Sequence, residues 1–153
     1  ALVDLGVYPL FLAIGLFGEP QKVTYYPVIL RSGVDGSGTL ILEYQDFVCT
    51  ILCSKISDSV LPCEIQGEKG TFVLEDAAPI SEIKFIDCRT KENELFSVAQ
   101  EDKDMVYECI KFAEIIETNN DQEYEKLKEW SRKVLRVTEE ARKQNNIVFG
   151  VER

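Results

Sequence analysis

The feature that most constrains the fold is a series of β segments between residues 21 and 100, joined by very short turns. Thr39–Tyr44 and Phe47–Ile56 are rich in apolar and β-branched residues, and only Gln45 and Asp46 separate them. Two such segments joined by two polar residues predict an antiparallel hairpin. Successive hairpins form a meander. The middle of the chain is therefore predicted to be an antiparallel sheet.

One strand precedes this hairpin and two hairpins follow it. The predicted strands are Gln21–Leu30, then Leu61–Gln66 paired with Thr71–Glu75, then Ser81–Arg89 paired with Leu95–Gln100. Gly36 and Gly38 predict a turn between the first two strands. The spacing of Gly67 and Gly70 also occurs in loops that hold phosphate, but the flanking glutamates are acidic and the loop joins two strands, which favours a hairpin turn.

Helical patterns stand on both sides of the β region. Leu2–Phe17 is predicted to be a largely buried helix that ends at Gly18 and Pro20, and its internal Gly6 and Gly15 predict close approach of another backbone. Two amphipathic helices follow the β region, and a short strand ends the chain; their predicted bounds are Asp102 or Asp104 to Thr118, Asp121 to Asn145, and Ile147–Val151. The apolar positions Val106, Cys109, Ile110, Ala113 and Ile116 are expected to face inward.

The strands Thr39–Tyr44 and Phe47–Ser54 are apolar on both faces. A sheet with one face in water would alternate apolar and polar residues, so we expect helices on one face and a partner on the other. Residues 1–153 are predicted to form a single α+β domain. Its core is expected to be a large, mainly antiparallel (mixed) sheet with helices on one face and the other face available for dimerisation.

Composition excludes several classes of function. The 153 residues include 17 basic and 27 acidic side chains, for a formal net charge of −10, which argues against nucleic-acid and anionic membrane surfaces. Histidine is absent, so no imidazole base, zinc ligand or triad is available. The apolar segment Ala1–Phe17 has no basic flank, contains Asp4 and is shorter than the roughly 20 residues of a membrane span.

Five cysteines lie in apolar stretches, at positions 49, 53, 63, 88 and 109. Their odd number and the lack of any C-x-x-C spacing argue against a disulfide framework or a zinc site. We interpret all five as reduced core residues, which predicts a reducing, cytoplasmic location.

Asp4 and Tyr8 are the residues most suited to chemistry. Four residues apart on a helix, they share one face, where a carboxylate and a phenol can bind a substrate hydroxyl and move its proton. The alternative interpretation is structural: Asp4 caps or salt-bridges the helix start and Tyr8 packs. The helical spacing by itself leaves both interpretations open.

Several segments carry a family resemblance. The opening ALVDLGVYPL, with an Asp, a Gly and a Tyr four residues after the Asp, resembles the start of the C-terminal domain in the glucose–fructose oxidoreductase / inositol dehydrogenase (Gfo/Idh/MocA) family. Further segments match that domain in the same order: Gly18-Glu19-Pro20, Glu64–Phe72, Phe112–Ile116 and Ser131–Arg142. The resemblance extends over essentially all 153 residues.

The resemblance implies a two-domain oxidoreductase, with an N-terminal Rossmann domain that binds NAD or NADP. The Tyr-containing branch of the family includes dihydrodiol and some sugar dehydrogenases. There Tyr8 would be the acid/base or its proton relay, and Asp4 would position the substrate hydroxyl and tune Tyr8. The expected partners are the chain's own Rossmann domain, a second copy and a small-molecule substrate.

The chain departs from the two-domain pattern because it contains no G-x-G-x-x-G fingerprint. We expect the Rossmann domain, together with the family's catalytic lysine, to be missing from these 153 residues. The chain alone is then expected to be inactive and to bind no dinucleotide. Two alternatives are a dinucleotide-sensing module without catalysis and a self-associating domain unrelated to redox chemistry.

Overall fold

The structure is a computed structural model that describes residues 1–96, 100–101, 103 and 105–152. Its elements are, in chain order, a π-helical turn (Leu2–Gly6), α1 (Val7–Phe17), β1 (Lys22–Ile29), β2 (Asp35–Glu43), β3 (Val48–Ser54), β4 (Cys63–Gln66), β5 (Gly70–Leu74), β6 (Ile83–Asp87), β7 (Asn93–Leu95), α2 (Val106–Thr118), α3 (Asp121–Gln144) and a 3₁₀ turn (Gly150–Glu152). The predicted α+β class is confirmed.

The chain divides into two compact units. The first unit comprises Ala1–Asp58 with Gln122–Arg153, and the second comprises Ser59–Asp121. The described strands pair as two antiparallel sheets, ordered β1-β2-β3 and β4-β5-β6-β7, where one large sheet was predicted. The first boundary, between Asp58 and Ser59, falls within residues 55–62, which belong to neither sheet. The single-domain interpretation of residues 1–153 stays a prediction.

In the first unit, α1 and α3 share one hydrophobic core with the three-stranded sheet. The predicted hairpin of β2 and β3 is confirmed, with Leu40 opposite Ile51 and Leu42 opposite Cys49. Alternate residues of the sheet point into the core, as the period of two requires. The fully buried side chains are Leu2, Leu10, Leu40 and Leu42.

The outer face of the same sheet is open. Tyr26, Val28, Val48 and Leu52 lie on it and are between 54% and 66% exposed. Tyr26 pairs with Thr39, which in turn pairs with Leu52, so Tyr26 and Leu52 lie on either side of Thr39 in one row across the three strands. Val28 and Val48 lie in other rows of the same face, opposite Ser37 and Glu43. The prediction that these strands are apolar on both faces is therefore matched by an exposed apolar surface.

Side-chain amides from the end of α3 complete the free edge of β1. Gln144 donates to the carbonyl of Val23 at 2.8 Å and accepts from the amide of Tyr25 at 3.3 Å, as a neighbouring strand would. Asn145 donates to the carbonyl of Tyr25 at 2.9 Å. An edge strand with unpaired backbone groups is prone to unwanted pairing, and these two side chains satisfy three of those groups.

In the second unit, β4 to β7 form a meander, and the two predicted hairpins are confirmed. Gly70 is required here because a Cβ atom would lie 2.4 Å from the carbonyl oxygen of Ile86. Phe72 packs with Phe85 and Phe96, at ring-centroid distances of 5.0 and 6.0 Å. The predicted caps Asp102 and Asp104, and part of the strand predicted to end at Gln100, lie outside the described residues.

The predicted turn at Gly36 and Gly38 is wrong. Both residues lie inside β2, and the turn falls earlier, where the amide of Leu30 donates to the carbonyl of Val34. The glycines are needed for space: a Cβ on Gly38 would lie 2.3 Å from the Tyr25 hydroxyl, and one on Gly36 would lie 2.7 Å from Leu30.

The predicted terminal strand Ile147–Val151 is also wrong, since the chain curls into a 3₁₀ turn. The cause is Arg142, which is 5% exposed. Its guanidinium donates to the carbonyl of Ile147 at 2.7 Å and to both carboxylate oxygens of Glu152, at 2.8 and 2.9 Å. A buried guanidinium needs such partners, so the chain end folds back over it.

The cysteines are less uniformly buried than predicted. Cys53 is buried and Cys49 and Cys63 are half-buried, whereas Cys88 and Cys109 are exposed. Cys88 follows β6 in a turn, and Cys109 lies on α2, which has no buried residue.

The inward face predicted for α2 is therefore wrong, with Ile110 and Ile116 about 60% exposed. Helical periodicity identifies an apolar face but not what covers it.

No helix among the described residues combines the length and hydrophobicity needed to cross a bilayer.

Gly15 faces a side chain rather than the backbone that was predicted. A Cβ there would lie 2.4 Å from the Trp130 indole, which cannot easily withdraw because its Nε1 donates to the carbonyl of Phe11 at 3.2 Å. We expect Gly15→Ala to destabilise the fold, because overpacking of about 1–3 kcal/mol outweighs the gain in helix propensity of about 1 kcal/mol. Urea unfolding measures this. Gly150→Ala is the control, since its Cβ would meet nothing within 4 Å; an unchanged midpoint for Gly15→Ala would contradict the packing argument.

Candidate active site

The candidate site lies at the start of the first helix. Leu2–Gly6 forms a π-helical turn that continues directly into α1. The carbonyl of Ala1 accepts hydrogen bonds from the amides of Leu5 at 2.8 Å and Gly6 at 3.3 Å. Isolated π turns inside helices occur frequently at functional sites, and this one carries Asp4.

A buried carboxylate on β2 fixes this turn to the sheet. Oδ2 of Asp35 accepts hydrogen bonds from the backbone amide of Leu2 at 2.6 Å and from the Tyr25 hydroxyl at 2.7 Å. The Ala1 nitrogen lies 3.0 Å from the same oxygen and donates to the carbonyl of Asp35 at 2.8 Å. Asp35 is 7% exposed, so these bonds replace water around its carboxylate.

The hydrogen bonds to Asp35 decide its charge. Burial alone would raise the pKa of the carboxyl, but the hydrogen bonds from the Leu2 amide and the Tyr25 hydroxyl hold it below the ordinary value of 3.8. Burial, together with the bond to Asp35, raises the pKa of Tyr25. Asp35 is therefore a carboxylate and Tyr25 a neutral phenol at neutral pH, which fixes the direction of the hydrogen bond between them.

Asp4 and Tyr8 both point outward beside this anchor. The Asp4 side chain is 58% exposed, and Tyr8 is 55% exposed. Within the described part of the chain no hydrogen bond joins them. Asp4 instead forms an ion pair with Lys55, just beyond the end of β3. The structural alternative for Asp4, a salt bridge at the helix start, is thus present, whereas Tyr8 does not pack as that alternative required.

Lys55 favours the ionised form of the Asp4 carboxyl. Its hydrogen bond and its positive charge lower the pKa of the Asp4 carboxyl below the ordinary value of 3.8. An ionised carboxylate accepts hydrogen bonds and donates none. At neutral pH the exposed surface therefore offers an acceptor from Asp4, donors from Lys55 and a phenol from Tyr8.

Sequence reasoning missed Asp35, Tyr25 and Lys55. Asp35 lies 33 residues from Leu2 and Lys55 lies 51 residues from Asp4, while Tyr25 reaches the first turn only through Asp35. Neither helical nor strand periodicity relates such positions. One available signal was the polarity of Asp35 immediately before the strand-like run of β2. Asp4 and Tyr8 were found because their spacing of four is local to one helix.

An apolar stripe flanks the polar group. Leu5, Tyr8 and Leu16 are 39%, 55% and 54% exposed, and Leu12 between them is half-buried. Steps of three and four residues place these four side chains along one face of the helix. The described residues contain no group of three or more Cys, Asp or Glu side chains suited to a metal.

Comparison with known proteins supports the family resemblance seen in the sequence. Residues 1–73 match the family model described as the GFO/IDH/MocA C-terminal domain. The chain is 39% identical, over 97% of its length, to scyllo-inositol 2-dehydrogenase (NADP(+)) IolU of Bacillus subtilis. It belongs to the Gfo/Idh/MocA family. It is also 38% identical, over 76% of its length, to the uncharacterized oxidoreductase YgjR of Escherichia coli.

The family relatives are much longer than this chain, which spans 45% of IolU and 35% of YgjR. Among solved structures, yvaA of Bacillus subtilis superposes with a TM-score of 0.67 at 20% identity, covering 93% of this chain and 48% of that one. A structure from Klebsiella pneumoniae gives a TM-score of 0.52 at 20% identity, covering 70% and 37%. These two likenesses show a shared fold.

Asp35→Asn should destabilise the protein by about 1.5–3 kcal/mol, the usual range for hydrogen bonds to a charged group. Because the folded-state pKa of Asp35 is lowered, its contribution is present above pH 3.8 and is lost as the pH falls through the folded-state value. Urea unfolding at pH 7 and at pH 3 measures both effects, and the difference between variant and wild type should shrink at the lower pH. Asp46→Asn, in the exposed turn between β2 and β3, is the control. A pH-independent difference would show that the charge of Asp35 is not responsible.

Proposed function

We propose that this chain is the substrate-binding half of an NAD(P)-dependent oxidoreductase that acts on the hydroxyl or carbonyl of a polyol, a sugar or a dihydrodiol. The observation that carries the proposal is the exposed pair Asp4 and Tyr8 on a turn anchored by Asp35, in a chain 39% identical to an NADP-dependent inositol dehydrogenase. Such an anchored turn holds polar side chains in fixed positions, as proximity catalysis requires.

The chain's own residues fit the substrate side of such a site and not the dinucleotide side. No glycine-rich phosphate loop occurs in the sequence, whereas an exposed carboxylate and phenol suit a substrate hydroxyl. The nicotinamide, when bound, supplies the hydride chemistry. Asp4 then accepts a hydrogen bond from the substrate hydroxyl and orients it. As the carbonyl forms, Tyr8 either receives the hydroxyl proton as a phenolate or, as a phenol, relays it by passing its own proton on to water. In the reverse reaction Tyr8 returns that proton.

The proposal includes the chain's own Rossmann domain as a partner. The stripe of Leu5, Tyr8, Leu12 and Leu16 borders Asp4 and exposes apolar surface in the first unit. A domain that packs on this stripe would bring its nicotinamide and its lysine to Asp4 and Tyr8. The isolated 153 residues are accordingly proposed to be inactive and to bind no dinucleotide. The odd number of cysteines and the lack of C-x-x-C spacing are the basis for proposing a reducing, cytoplasmic location.

Tyr8→Phe in the full-length protein should lower kcat/KM by roughly 10²–10⁴-fold, the usual contribution of a positioned acid/base. Steady-state kinetics with NADP⁺ or NAD⁺ and a panel of inositols, sugars and dihydrodiols measure the effect. Tyr124→Phe, an equally exposed tyrosine on α3, is the control and should leave turnover unchanged. If Tyr8→Phe turns over at the wild-type rate, Tyr8 has no catalytic role. A wild-type protein that binds dinucleotide and shows no turnover would instead support the dinucleotide-sensing alternative.

The proposal also includes a homodimer through the outer face of the three-stranded sheet. The exposed apolar side chains of this face, Tyr26, Val28, Val48 and Leu52, would be covered by the same face of a second copy. Leu52→Glu should place a charge in that interface and shift the protein to monomers in sedimentation velocity. Val60→Glu, at a 97% exposed position in the second unit, should leave the oligomeric state unchanged. A wild-type protein that sediments as a monomer would overturn the dimer.

A further inference from the structure

Lys55 is held at a fixed corner of the first unit. Its backbone amide donates to the carbonyl of Gly36 at 2.7 Å, which continues the pairing of β2 and β3 by one residue. Immediately before it, the Ser54 hydroxyl accepts hydrogen bonds from the amides of Ile56 at 3.1 Å and Ser57 at 2.9 Å. Such a serine turn fixes the local backbone, so the Lys55 side chain leaves the sheet from a constrained position.

From this corner the Lys55 ammonium reaches Asp4, and the two side chains are 50% and 58% exposed. Asp4 and Lys55 therefore lie on two different segments, and both segments are bound to β2. The π turn that carries Asp4 is bound through Asp35, and the backbone of Lys55 is bound through the carbonyl of Gly36. An ammonium has three donors. After one donor binds Asp4, the ammonium keeps two further donors, and the Lys55 side chain is half exposed.

The charge of Lys55 matters for proton removal from a hydroxyl. As Tyr8 takes the proton, negative charge develops on the substrate oxygen beside the carboxylate of Asp4, and two like charges repel each other. The ammonium of Lys55 offsets that repulsion and keeps one orientation of the carboxylate. Without Lys55, Asp4 would be free to rotate and would oppose the charge that the reaction creates.

We propose that Lys55 is a positioning residue of the active site, which orients and charge-balances Asp4 for its contact with the substrate hydroxyl. This inference rests on the proposed function. Lys55 acts through Asp4, so its removal should matter only while Asp4 is present. A surface lysine with a merely structural role would not show that dependence.

The test uses the full-length protein and a double-mutant cycle. Lys55→Gln should lower kcat/KM on the order of tenfold, less than the roughly 10²-fold that a 1 Å misplacement can cost. Lys55→Arg keeps the charge and should retain most of the activity. The double variant Lys55→Gln/Asp4→Asn should be no slower than Asp4→Asn alone, because interacting residues are not additive.

A matched control is available on the same sheet. Lys22 pairs with Glu43 at 2.7 Å, with side chains 65% and 40% exposed, which resembles the Lys55–Asp4 pair in chemistry and exposure. Lys22→Gln should leave kcat/KM unchanged. Thermal melting of Lys22→Gln and Lys55→Gln should agree within a few degrees, which separates loss of positioning from loss of fold.

A second readout does not depend on turnover. The measurement is a carbon NMR titration of full-length protein labelled with ¹³C at the aspartate carboxyls. The resonance that is absent from the Asp4→Asn spectrum belongs to Asp4, and its shift with pH reports the titration of that carboxyl. Among the described residues, the charged group in contact with Asp4 is Lys55, and Tyr8 lies one helical turn away on the same helix. In Lys55→Gln the midpoint should rise toward 3.8, whereas Lys55→Arg and Lys22→Gln should keep the wild-type midpoint.

The outcomes distinguish this inference from the proposed function. If Asp4→Asn and Tyr8→Phe lose activity but Lys55→Gln keeps it, or loses a factor that simply multiplies that of Asp4→Asn, the positioning role is overturned and the proposed function stands. If Asp4→Asn and Tyr8→Phe keep full activity, both are overturned. Should Lys55→Gln fail to fold, a raised Asp4 midpoint or a tenfold loss in Lys55→Arg would overturn the role.

Discussion

The carboxylate of Asp35 is the interaction on which the candidate site depends. A single oxygen accepts hydrogen bonds from the backbone of Leu2 and the hydroxyl of Tyr25. The first joins the start of the chain to β2, and the second joins β1 to the same point. An unpaired buried carboxylate would be costly, so the first turn has one position in which this charge is satisfied, and the placement of Asp4 and Tyr8 follows from it.

Small residues make this anchor possible. Tyr25 reaches Asp35 because Gly38, its near neighbour across the strands, has no side chain in the way. Gly6 has the same effect for the helix, since a Cβ there would lie 3.2 Å from the sulfur of Cys53. The glycines in β2 and the π turn thus cost some local stability and in return allow the polar contacts that hold the site.

The sequence predicted those parts of the structure that are encoded locally. Hairpins with short turns and the helix ends at Gly18, Thr118 and Asn145 are predicted from neighbouring residues, and these predictions are confirmed to within one residue. The predicted pair Asp4 and Tyr8 is local in the same sense. Asp35–Leu2 and Asp4–Lys55 join residues 33 and 51 positions apart, and no periodicity relates them. Gly36 and Gly38 were misinterpreted for the same reason, because the side chains that need their space come from another strand or from the preceding turn.

The exposure of Asp4, Lys55 and Tyr8 is itself informative about how such a site works. Water screens an exposed ion pair and weakens its control over geometry, so these residues alone offer little electrostatic stabilisation to a reacting oxygen. Covering the same charges excludes water and strengthens every interaction among them. In the proposed site, which would be divided between two domains, chemistry would therefore be coupled to assembly. The anchored turn holds the backbone of Asp4 against the sheet, and the polar groups would gain catalytic strength only when a covering domain buries the apolar stripe beside them and brings the cofactor.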